Sequence, residues 1–392
     1  MQKISYWNTN HILFAALVLT GLLVFLGFGC TCLSASGARA AEQESAVYQT
    51  GNASAHFSNR SLSSGKKGEM VINLVSWNVQ TFFDARTDGT EYGEFKGAKS
   101  SWSTEKYKDR LKRLADYMKK TDADIYCFME IENEAVVMDI ANQLQGSTSR
   151  GTKWYYATFG KDSGSAIGCA VFSKLPLEGI SLHQIDYRTA LPAHAFDGYV
   201  PGTRLVPPEM RPLLEVRLNT SLQTSLEDKA TTVPLVLFVC HWKSKSGGEA
   251  ESAVWRSCQE ALLADRMQHA LQDGAAVLAC GDFNRGLSEF MWSYQTGSVE
   301  LRSFRKYVTV TSPWFSSTQP GTYWYHGEWN KLDHIFAAGG TSIQTFYADT
   351  EGELITETGI PNGYSVLTGK GMSDHLPLVC TFTVSAQTTA RR

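Results

Sequence analysis

Short clusters of polar residues lie at the ends of apolar runs along this chain, and their side chains are of the types that carry acid–base and metal chemistry. The clusters are Ser76-Trp77-Asn78, Met129-Glu130, His241, Gly281-Asp282-Phe283-Asn284, Leu332-Asp333-His334 and Ser373-Asp374-His375. The apolar runs have the length and composition of buried strands. Carboxylates, amides and histidines that recur at strand ends predict one shared active site.

Glu130 follows the apolar run 125–129, so its carboxylate lies either at an exposed strand end or in a costly buried position. A hard cation would explain the buried position. Asn78 and Asp374 could add oxygen ligands, and an oxygen-rich set suits Mg²⁺ or Mn²⁺ better than zinc. For Glu130 taken alone, a structural role is the stronger interpretation.

Asp282 and Asn284 flank Phe283, so in an extended segment their side chains point to the same side. Such a pair could orient a water molecule beside a phosphate. The competing interpretation is an Asx turn at the end of a strand, which is at least as common. Both interpretations remain open from the sequence.

The histidines supply groups that titrate near neutral pH. His375 follows Asp374 and offers a base, and a distant carboxylate such as Asp333 could fix its tautomer. His241 follows the strand 235–240, where strand alternation turns it to the face opposite its neighbour. His334 is the weaker candidate and fits a structural position beside Asp333.

The sequence divides into four segments. Residues 1–30 are predicted to be a signal peptide or lipoprotein leader, because Lys3 precedes an apolar run at 12–28. Cys30 ends a relaxed lipobox, Ala40 ends a signal-peptidase site, and an uncleaved anchor is a third possibility. Residues 31–69 are predicted to be a flexible tether, 70–385 one folded domain and 386–392 a disordered tail. These features predict an exported protein, which is either periplasmic, anchored to a membrane as a lipoprotein, or secreted into the medium.

Apolar periodicity predicts helices at 103–120, 134–144 and 249–272. Strands are predicted at 70–79, 124–131, 154–159, 167–173, 213–218, 233–240, 276–280, 332–337 and 376–384. Residues 183–208, which contain four prolines, are predicted to form a long surface loop.

Composition sets weaker limits on the protein. The hydrophobic fraction of 43% and the charged fraction of 19% are those of an ordinary globular protein. A net charge of −3 gives no overall positive field, so binding of nucleic acid must depend on a local basic patch. The cysteines of the domain lie mostly in apolar strands, which favours buried free thiols, although export leaves disulfides open.

Taken together and in order, these motifs resemble those of the endonuclease/exonuclease/phosphatase superfamily, typified by deoxyribonuclease I, over about Met70 to Val384. The resemblance implies an α+β fold, a four-layer α/β/β/α sandwich in which two mostly antiparallel sheets pack face to face with helices outside. It implies a metal-dependent phosphodiester hydrolase with its site at one rim of the sandwich.

The resemblance also implies roles for individual residues. Glu130 is the implied metal ligand, with Asn78 and Asp374 beside the ion. Asp333 orients His375 as general base or proton relay. Asp282 and Asn284 position water and phosphate, and His241 and Arg211 contact the phosphate. The implied reaction is in-line attack of water on a phosphodiester.

Other residues bear on the substrate. Glu132 stands where deoxyribonuclease I has an arginine that enters the minor groove, which argues against duplex cleavage in that style. Lys243 and Lys245 provide local positive charge, or form a solvated loop. Four aromatic residues are candidates for stacking on bases, or for an edge of the core, namely Tyr323, Trp324, Tyr325 and Trp329.

The sequence thus predicts an exported, divalent-cation-dependent phosphodiesterase, a nuclease acting on DNA or RNA. One alternative is a phospholipid or sphingomyelin phosphodiesterase or a phosphatase, for which a lipid anchor and an exposed aromatic loop at Trp314 and Phe315 would make sense. The other alternative is a surface binding protein without turnover. The expected partners are a nucleic-acid substrate and, through an N-terminal lipid, a membrane; the protein is expected to be a monomer with no protein partner.

Overall fold

Alternating strands and helices follow the apolar periodicity of the sequence. The computed structural model describes residues 47–49, 69–87, 89–145, 156–184, 206–222, 231–303 and 306–386. The helices are α1 (Thr104–Thr121), α2 (Glu134–Gln145) and α3 (Glu249–Gln272). The strands are β1 (Val47–Gln49), β2 (Glu69–Phe82), β3 (Ile125–Ile131), β4 (Tyr156–Gly160), β5 (Gly168–Ser173), β6 (Leu177–His183), β7 (Leu213–Leu222), β8 (Thr231–His241), β9 (Ala276–Asp282), β10 (Met291–Ser293), β11 (Ser298–Arg302), β12 (Tyr307–Thr311), β13 (Tyr323–Tyr325), β14 (Glu328–Asn330), β15 (Asp333–Ala338), β16 (Thr341–Ala348) and β17 (Leu378–Ser385).

The strands form two large sheets and a hairpin. The first sheet has the order β1-β4-β5-β3-β2-β17-β16, the second has the order β10-β11-β12-β15-β9-β8-β7-β6, and β13 pairs with β14. The two large sheets pack face to face, with β2 and β3 against β9. α1 and α2 pack on the outside of the first sheet, and α3 packs on the outside of the second. The predicted α+β four-layer sandwich is therefore confirmed.

One parallel strand pair stands near the centre of each sheet. β2 and β3 are parallel and joined through α1, while β8 and β9 are parallel and joined through α3. A helical crossover is what brings two parallel strands side by side, so the carboxyl ends of each pair meet at one edge. β15 and β17 run antiparallel to β9 and β2, so their amino-terminal ends reach the same edge.

Local sequence explains where these crossovers begin and end. Ser103 caps α1 by accepting a hydrogen bond from the Lys106 amide. The apolar stripe of α3 at Val254, Cys258, Leu262 and Met267 is buried, as periodicity predicts. Gly274, with φ of 76°, ends the turn after α3 and starts the return to β9.

Some elements differ from the sequence prediction. Val47–Gln49 pairs with β4 as an edge strand within the segment predicted as a tether. The strands β6, β10 to β14 and β16 were not predicted. The leader 1–30, the rest of 31–68, most of the predicted 183–208 loop and residues 387–392 lie outside the described residues. None of the helices that the structure describes is long and apolar enough to cross a membrane.

Candidate active site

Four strand ends and two strand beginnings deliver the predicted side chains to one edge of the sandwich. His241 and Asp282 are register partners at the ends of β8 and β9. Asp333, the first residue of β15, is in turn the register partner of Asp282. The contacts described below join these residues to Asn78 of β2, Glu130 of β3 and His375 before β17.

Glycine is required at one point of this arrangement. Gly281 has a φ of 135°, and a Cβ there would lie 2.0 Å from the carbonyl oxygen of Cys240. Because only glycine allows β9 to approach β8 this closely, the residue before Asp282 is fixed by packing. The close approach sets Asp282 beside His241, with 3.8 Å between Oδ2 and Nε2.

The predicted pairing of Asp333 with His375 is present. His375 Nδ1 lies 2.8 Å from Asp333 Oδ2, which also accepts a hydrogen bond from the Thr322 hydroxyl. Both side chains are buried. Burial opposes a charge on the imidazole, but the carboxylates of Asp333 and Asp282 raise the pKa of His375 well above its usual value. These carboxylates favour the protonated ring, and its Nε2 faces Asp282 Oδ2 at 3.9 Å.

The backbone of His375 is held by residues of the first strand motif. The Trp77 indole donates a hydrogen bond of 2.8 Å to the His375 carbonyl. The Ser373 hydroxyl donates to the Asn78 carbonyl at 2.6 Å and accepts from the His375 amide at 3.1 Å. These contacts join the segment before β17 to the end of β2.

Asp282 and Asn284 form an Asx turn, and their side chains also meet. Asn284 has a φ of 47°, and its amide donates to Asp282 Oδ1 at 2.8 Å. Of the two interpretations left open by the sequence, the Asx turn is therefore the one present, and Asn284 Nδ2 lies 3.2 Å from Asp282 Oδ2. Burial and the nearby Asp333 carboxylate raise the pKa of Asp282 to about 7. Such a carboxyl group can accept or release a proton near neutral pH.

His241 is a neutral, buried ring between two carboxylates. Its Nε2 lies 3.6 Å from Glu130 Oε1, and Nδ1 has no hydrogen-bond partner among the described residues. Burial, with the added charges of Arg211 and His375, lowers the pKa of His241 well below its usual value. No acidic residue of the described segments orients this histidine through Nδ1, just as none could be assigned from the sequence.

The predicted metal ligands lie on the first sheet. Glu130 sits in a bulge of β3 with a φ of 68°, and its carboxylate accepts hydrogen bonds from the Thr81 amide at 2.6 Å and from Asn78 Nδ2 at 3.0 Å. Asn78 Nδ2 also donates to Asp282 at 3.1 Å, and its Oδ1 accepts from the Gln80 amide at 3.0 Å. Asn78 therefore ties together the carboxylates of the two sheets.

Among the described residues, no group of three or more His, Cys, Asp and Glu side chains is arranged to hold a metal ion. The predicted set contains only two carboxylates, Glu130 and Asp374, and an amide. Burial raises the pKa of Asp374, and the Glu130 carboxylate adds to the rise. The two carboxylates fit a hard divalent cation, whereas the Asn78 oxygen accepts from the Gln80 amide and its nitrogen faces Glu130.

Arg211 reaches the site from the segment before β7. Its Nη1 donates to the Trp242 carbonyl at 3.1 Å. Its charge acts on the His241 ring, which places it beside that histidine. A guanidinium at this position suits a phosphate oxygen.

Sequence reasoning missed two residues that support the site. Gln80 Oε1 accepts hydrogen bonds from the Tyr364 amide at 2.7 Å and the Asp374 amide at 3.1 Å. Arg110 of α1 is buried and donates to the carbonyls of Val79, Gln80 and Thr81. Gln80 stands two residues after Asn78, the same spacing that drew attention to Asp282 and Asn284, so a signal for it existed.

Three expectations about nearby residues are wrong. Glu132 is buried and accepts a hydrogen bond from the Asp84 amide, so it does not face a substrate and does not argue against duplex DNA. Trp314 is buried and donates to the Asp333 carbonyl, so it forms no exposed loop. Lys245 is paired with Glu249 and Glu289, which neutralises much of the predicted basic patch.

His334 is structural, as the sequence suggests. It is fully buried, its Nε2 contacts the Arg285 carbonyl at 2.8 Å, and its ring stacks on Phe336. Burial lowers the pKa of His334 to about 4, so the ring is neutral. Strand alternation places it on the face of β15 opposite Asp333.

A family model described as the Endonuclease/Exonuclease/phosphatase family matches residues 75–375, which is more than half of the chain. The chain belongs to this family. The predicted family and the predicted activity class, a phosphodiester hydrolase, are thereby confirmed. No curated protein matches the sequence significantly.

Solved structures with a similar fold have low sequence identity. A functionally unknown conserved protein from Enterococcus faecalis is 14% identical, with a TM-score of 0.47 and coverage of 81% of this chain and 100% of that chain. TDP2 from C. elegans is 14% identical, with a TM-score of 0.46 and coverage of 81% and 75%. The human Nocturnin catalytic domain with bound sulfate is 15% identical, with a TM-score of 0.44 and coverage of 80% and 95%.

Proposed function

We propose that this protein is an exported nuclease that hydrolyses phosphodiester bonds of DNA or RNA with Mg²⁺ or Mn²⁺. The observation that supports it most is the connected set of buried groups at the rim. Asp333 contacts His375 at 2.8 Å, His375 lies 3.9 Å from Asp282, and Asp282 lies 3.8 Å from His241. Titratable groups with pKa values driven apart in this way are typical of acid–base sites.

The pKa values of these residues indicate a different role for each of them. Asp282, with a pKa near 7, takes the proton of the attacking water, and Asn284 holds its carboxyl group in place. The carboxylates around His375 raise its pKa, so we assign it the role of proton relay and of positive charge beside the phosphate. Neutral His241 and cationic Arg211 contact the phosphate oxygens as negative charge grows on them.

Glu130 and Asp374 would hold the cation, with Asn78 orienting the Glu130 carboxylate. A bound divalent ion supplies Lewis-acid charge to the phosphate oxygens. Magnesium and manganese fit because every donor in the set is oxygen.

The test is turnover of defined substrates by residues 41–392 with Mg²⁺, Mn²⁺ or chelator. The substrates are plasmid, single-stranded RNA, a single-stranded oligodeoxynucleotide and sphingomyelin. We expect cleavage of nucleic acid that chelator abolishes and that Asp282→Asn lowers about 10²- to 10³-fold. Cleavage of sphingomyelin alone would replace the nuclease with the lipid alternative, and no turnover of any substrate would leave the binding-protein alternative.

Export is a separate part of the proposal and rests on the sequence of the leader. Mass spectrometry of the mature amino terminus distinguishes the routes. A diacylglyceryl-modified Cys30 indicates a lipoprotein attached to a membrane, and a free Ala41 indicates a signal peptide removed after Ala40. An intact Met1 on protein recovered from the cytoplasm contradicts export.

A further inference from the structure

The hairpin of β13 and β14 forms one wall of the active site. Tyr323 makes an isolated bridge with His375, and the two rings lie 4.6 Å apart with 30° between their planes. The turn between the two strands contains His326 and Gly327, both with positive φ, as a two-residue hairpin turn requires. The hairpin is therefore short, and its position is fixed against the proposed catalytic histidine.

Strand alternation sorts the aromatic residues of this hairpin onto two faces. Trp324 and Trp329 are register partners, and their rings contact each other at 5.4 Å on one face. Tyr323 and Tyr325 lie on the other face, with ring planes 17° apart and centroids 6.1 Å apart. Because Tyr323 lies over His375, Tyr325 continues the same row one step outward from the site.

Tyr325 is exposed to solvent. Its relative exposure is 56%, whereas Tyr323 is half-buried. The Tyr325 ring is aligned with the ring that covers a proposed catalytic group, and the His326 ring contacts it at 4.0 Å with 71° between the planes. The rest of its exposed surface is open to a ligand. The row is open and one-sided, unlike the enclosing arrangement of rings that holds a choline headgroup.

We propose that Tyr325, together with Tyr323, is a base-stacking platform for the nucleotide next to the scissile phosphate, and that the substrate is single-stranded nucleic acid. This inference rests on the proposed nuclease function. Every base has a flat π face, so stacking tolerates any sequence. Bases in a duplex are already stacked on both faces, and only a single strand can turn one onto the tyrosine.

The test compares Tyr325→Ala with wild type on two single-stranded oligonucleotides of equal length. One is oligothymidylate, and the other is an abasic backbone with the same phosphates and no bases. We expect Tyr325→Ala to raise KM for oligothymidylate about 5- to 100-fold, with kcat little changed. KM for the abasic strand should stay the same, and Tyr325→Trp should restore binding of the oligothymidylate.

Tyr307→Ala is the matched control, because Tyr307 is 51% exposed and lies at the end of β12 remote from Asp333. A Tyr325→Ala enzyme that cleaves both strands with wild-type KM overturns the platform and leaves the nuclease intact. An equal rise in KM on both strands overturns it too, since the tyrosine would then act on the backbone. A wild-type enzyme that cleaves sphingomyelin and no nucleic acid overturns both proposals.

Discussion

The two parallel units of this sandwich contribute to the same rim in different ways. In the β2–α1–β3 unit, both strands lose their register near the site, and Gln80, Thr81 and Glu130 all have positive φ. In the β8–α3–β9 unit, the register is continuous to the last pair, His241 and Asp282. The first unit delivers its acidic group through a distorted backbone, and the second through a regular ladder.

The exposure of the side chains follows this difference. The Glu130 side chain is 17% exposed, while those of His241 and Asp282 are 2% and 3% exposed. Bulges redirect side chains at the margins of sheets, and residues in rare conformations need surrounding contacts to hold them. Under the proposed function, the more exposed carboxylate of the first unit receives the cation, and the second unit holds polar groups in a dry environment.

The largest expected effect is on activity, and its dependence on Mg²⁺ should differ between variants of the two units. His241→Gln should lower kcat about 10²- to 10³-fold at saturating Mg²⁺, because a group near the reacting phosphate is lost. Glu130→Gln should raise the Mg²⁺ concentration needed for half-maximal activity, and excess Mg²⁺ should recover part of the rate. Steady-state rates across a Mg²⁺ titration measure both. Identical Mg²⁺ titration midpoints for the two variants would contradict the assignment of cation binding to the first unit alone.

A second difference concerns acid stability, because the second sheet carries a buried ion cluster near its edge. Glu215 of β7 contacts His183 Nε2 at 2.8 Å and Arg266 at 3.1 Å. Burial opposes the charge of Glu215, but the His183 hydrogen bond and the charges of Arg266 and Arg217 lower its pKa to about 2. A lowered pKa stabilises the fold above the unfolded value near 4.5, and this stabilisation is lost as the pH falls toward 2.

Glu215→Gln should therefore reduce the free energy of unfolding at neutral pH by on the order of 3 kcal/mol. The gap from wild type should close as the pH falls below about 4. Urea denaturation at several pH values measures the gap. A gap of constant size down to pH about 2 would show that the charge of Glu215 is not its source.

The sequence predicted the site residues at the strand ends but not the residues that hold those strand ends in place. Asn78, Glu130, His241, Asp282 and His375 stand out because each interrupts or ends an apolar run. Residues such as Arg110 and Glu132 do not, since their roles depend on backbone groups about 30 and 50 positions away. Only tertiary contact shows that Glu132 faces inward and Glu130, two residues earlier, faces the site.

Some of the strands that were not predicted have a recognisable pattern in the sequence, and others have none. β12 alternates exposed and buried side chains along Tyr307–Thr311, a period-two pattern that the sequence contains. β13 and β14 have only three residues each and become a hairpin because they pack beside the segment that carries His375. Trp314 was misplaced for a related reason, because its burial depends on β15.

Arg110 offers a third test, directed at the distorted backbone of the first unit. Its guanidinium donates to three successive carbonyls, a geometry that the lysine ammonium cannot match. Arg110→Lys should lower the free energy of unfolding by about 2 kcal/mol. It should also weaken Mg²⁺ binding, because Thr81 hydrogen-bonds Glu130. Urea denaturation and calorimetric Mg²⁺ titration measure the two effects.

The control for this test is Arg113→Lys on the same helix. The Arg113 side chain is 20% exposed and donates to a single carbonyl, that of Gly369. We expect a loss below about 1 kcal/mol and unchanged Mg²⁺ binding. Equal losses in the free energy of unfolding for the two variants would mean that the hydrogen bonds from Arg110 to three carbonyls stabilise the protein no more than an ordinary helix contact does.

The smallest expected effect is at the cysteines, which are divided between the two halves of the sandwich. All six described cysteines are free and buried, as the sequence favours. The first sheet contains Cys127, Cys169 and Cys380. The second sheet and α3 contain Cys240, Cys258 and Cys280. A thiol reagent should label none of them in the native protein. The core between the sheets and the cluster beneath α3 both include residues of β9, so urea should expose all six in one transition. Labelling of one group before the other would show that the two units open separately.

The position of β17 has a consequence for the timing of activity. β17 inserts between β2 and β16, so β2 stays unpaired on one side until β17 has been synthesised. His375 is carried by the same late segment. A chain in which this segment has not yet been made therefore has no complete rim, so hydrolase activity requires that His375 and β17 have joined the first sheet.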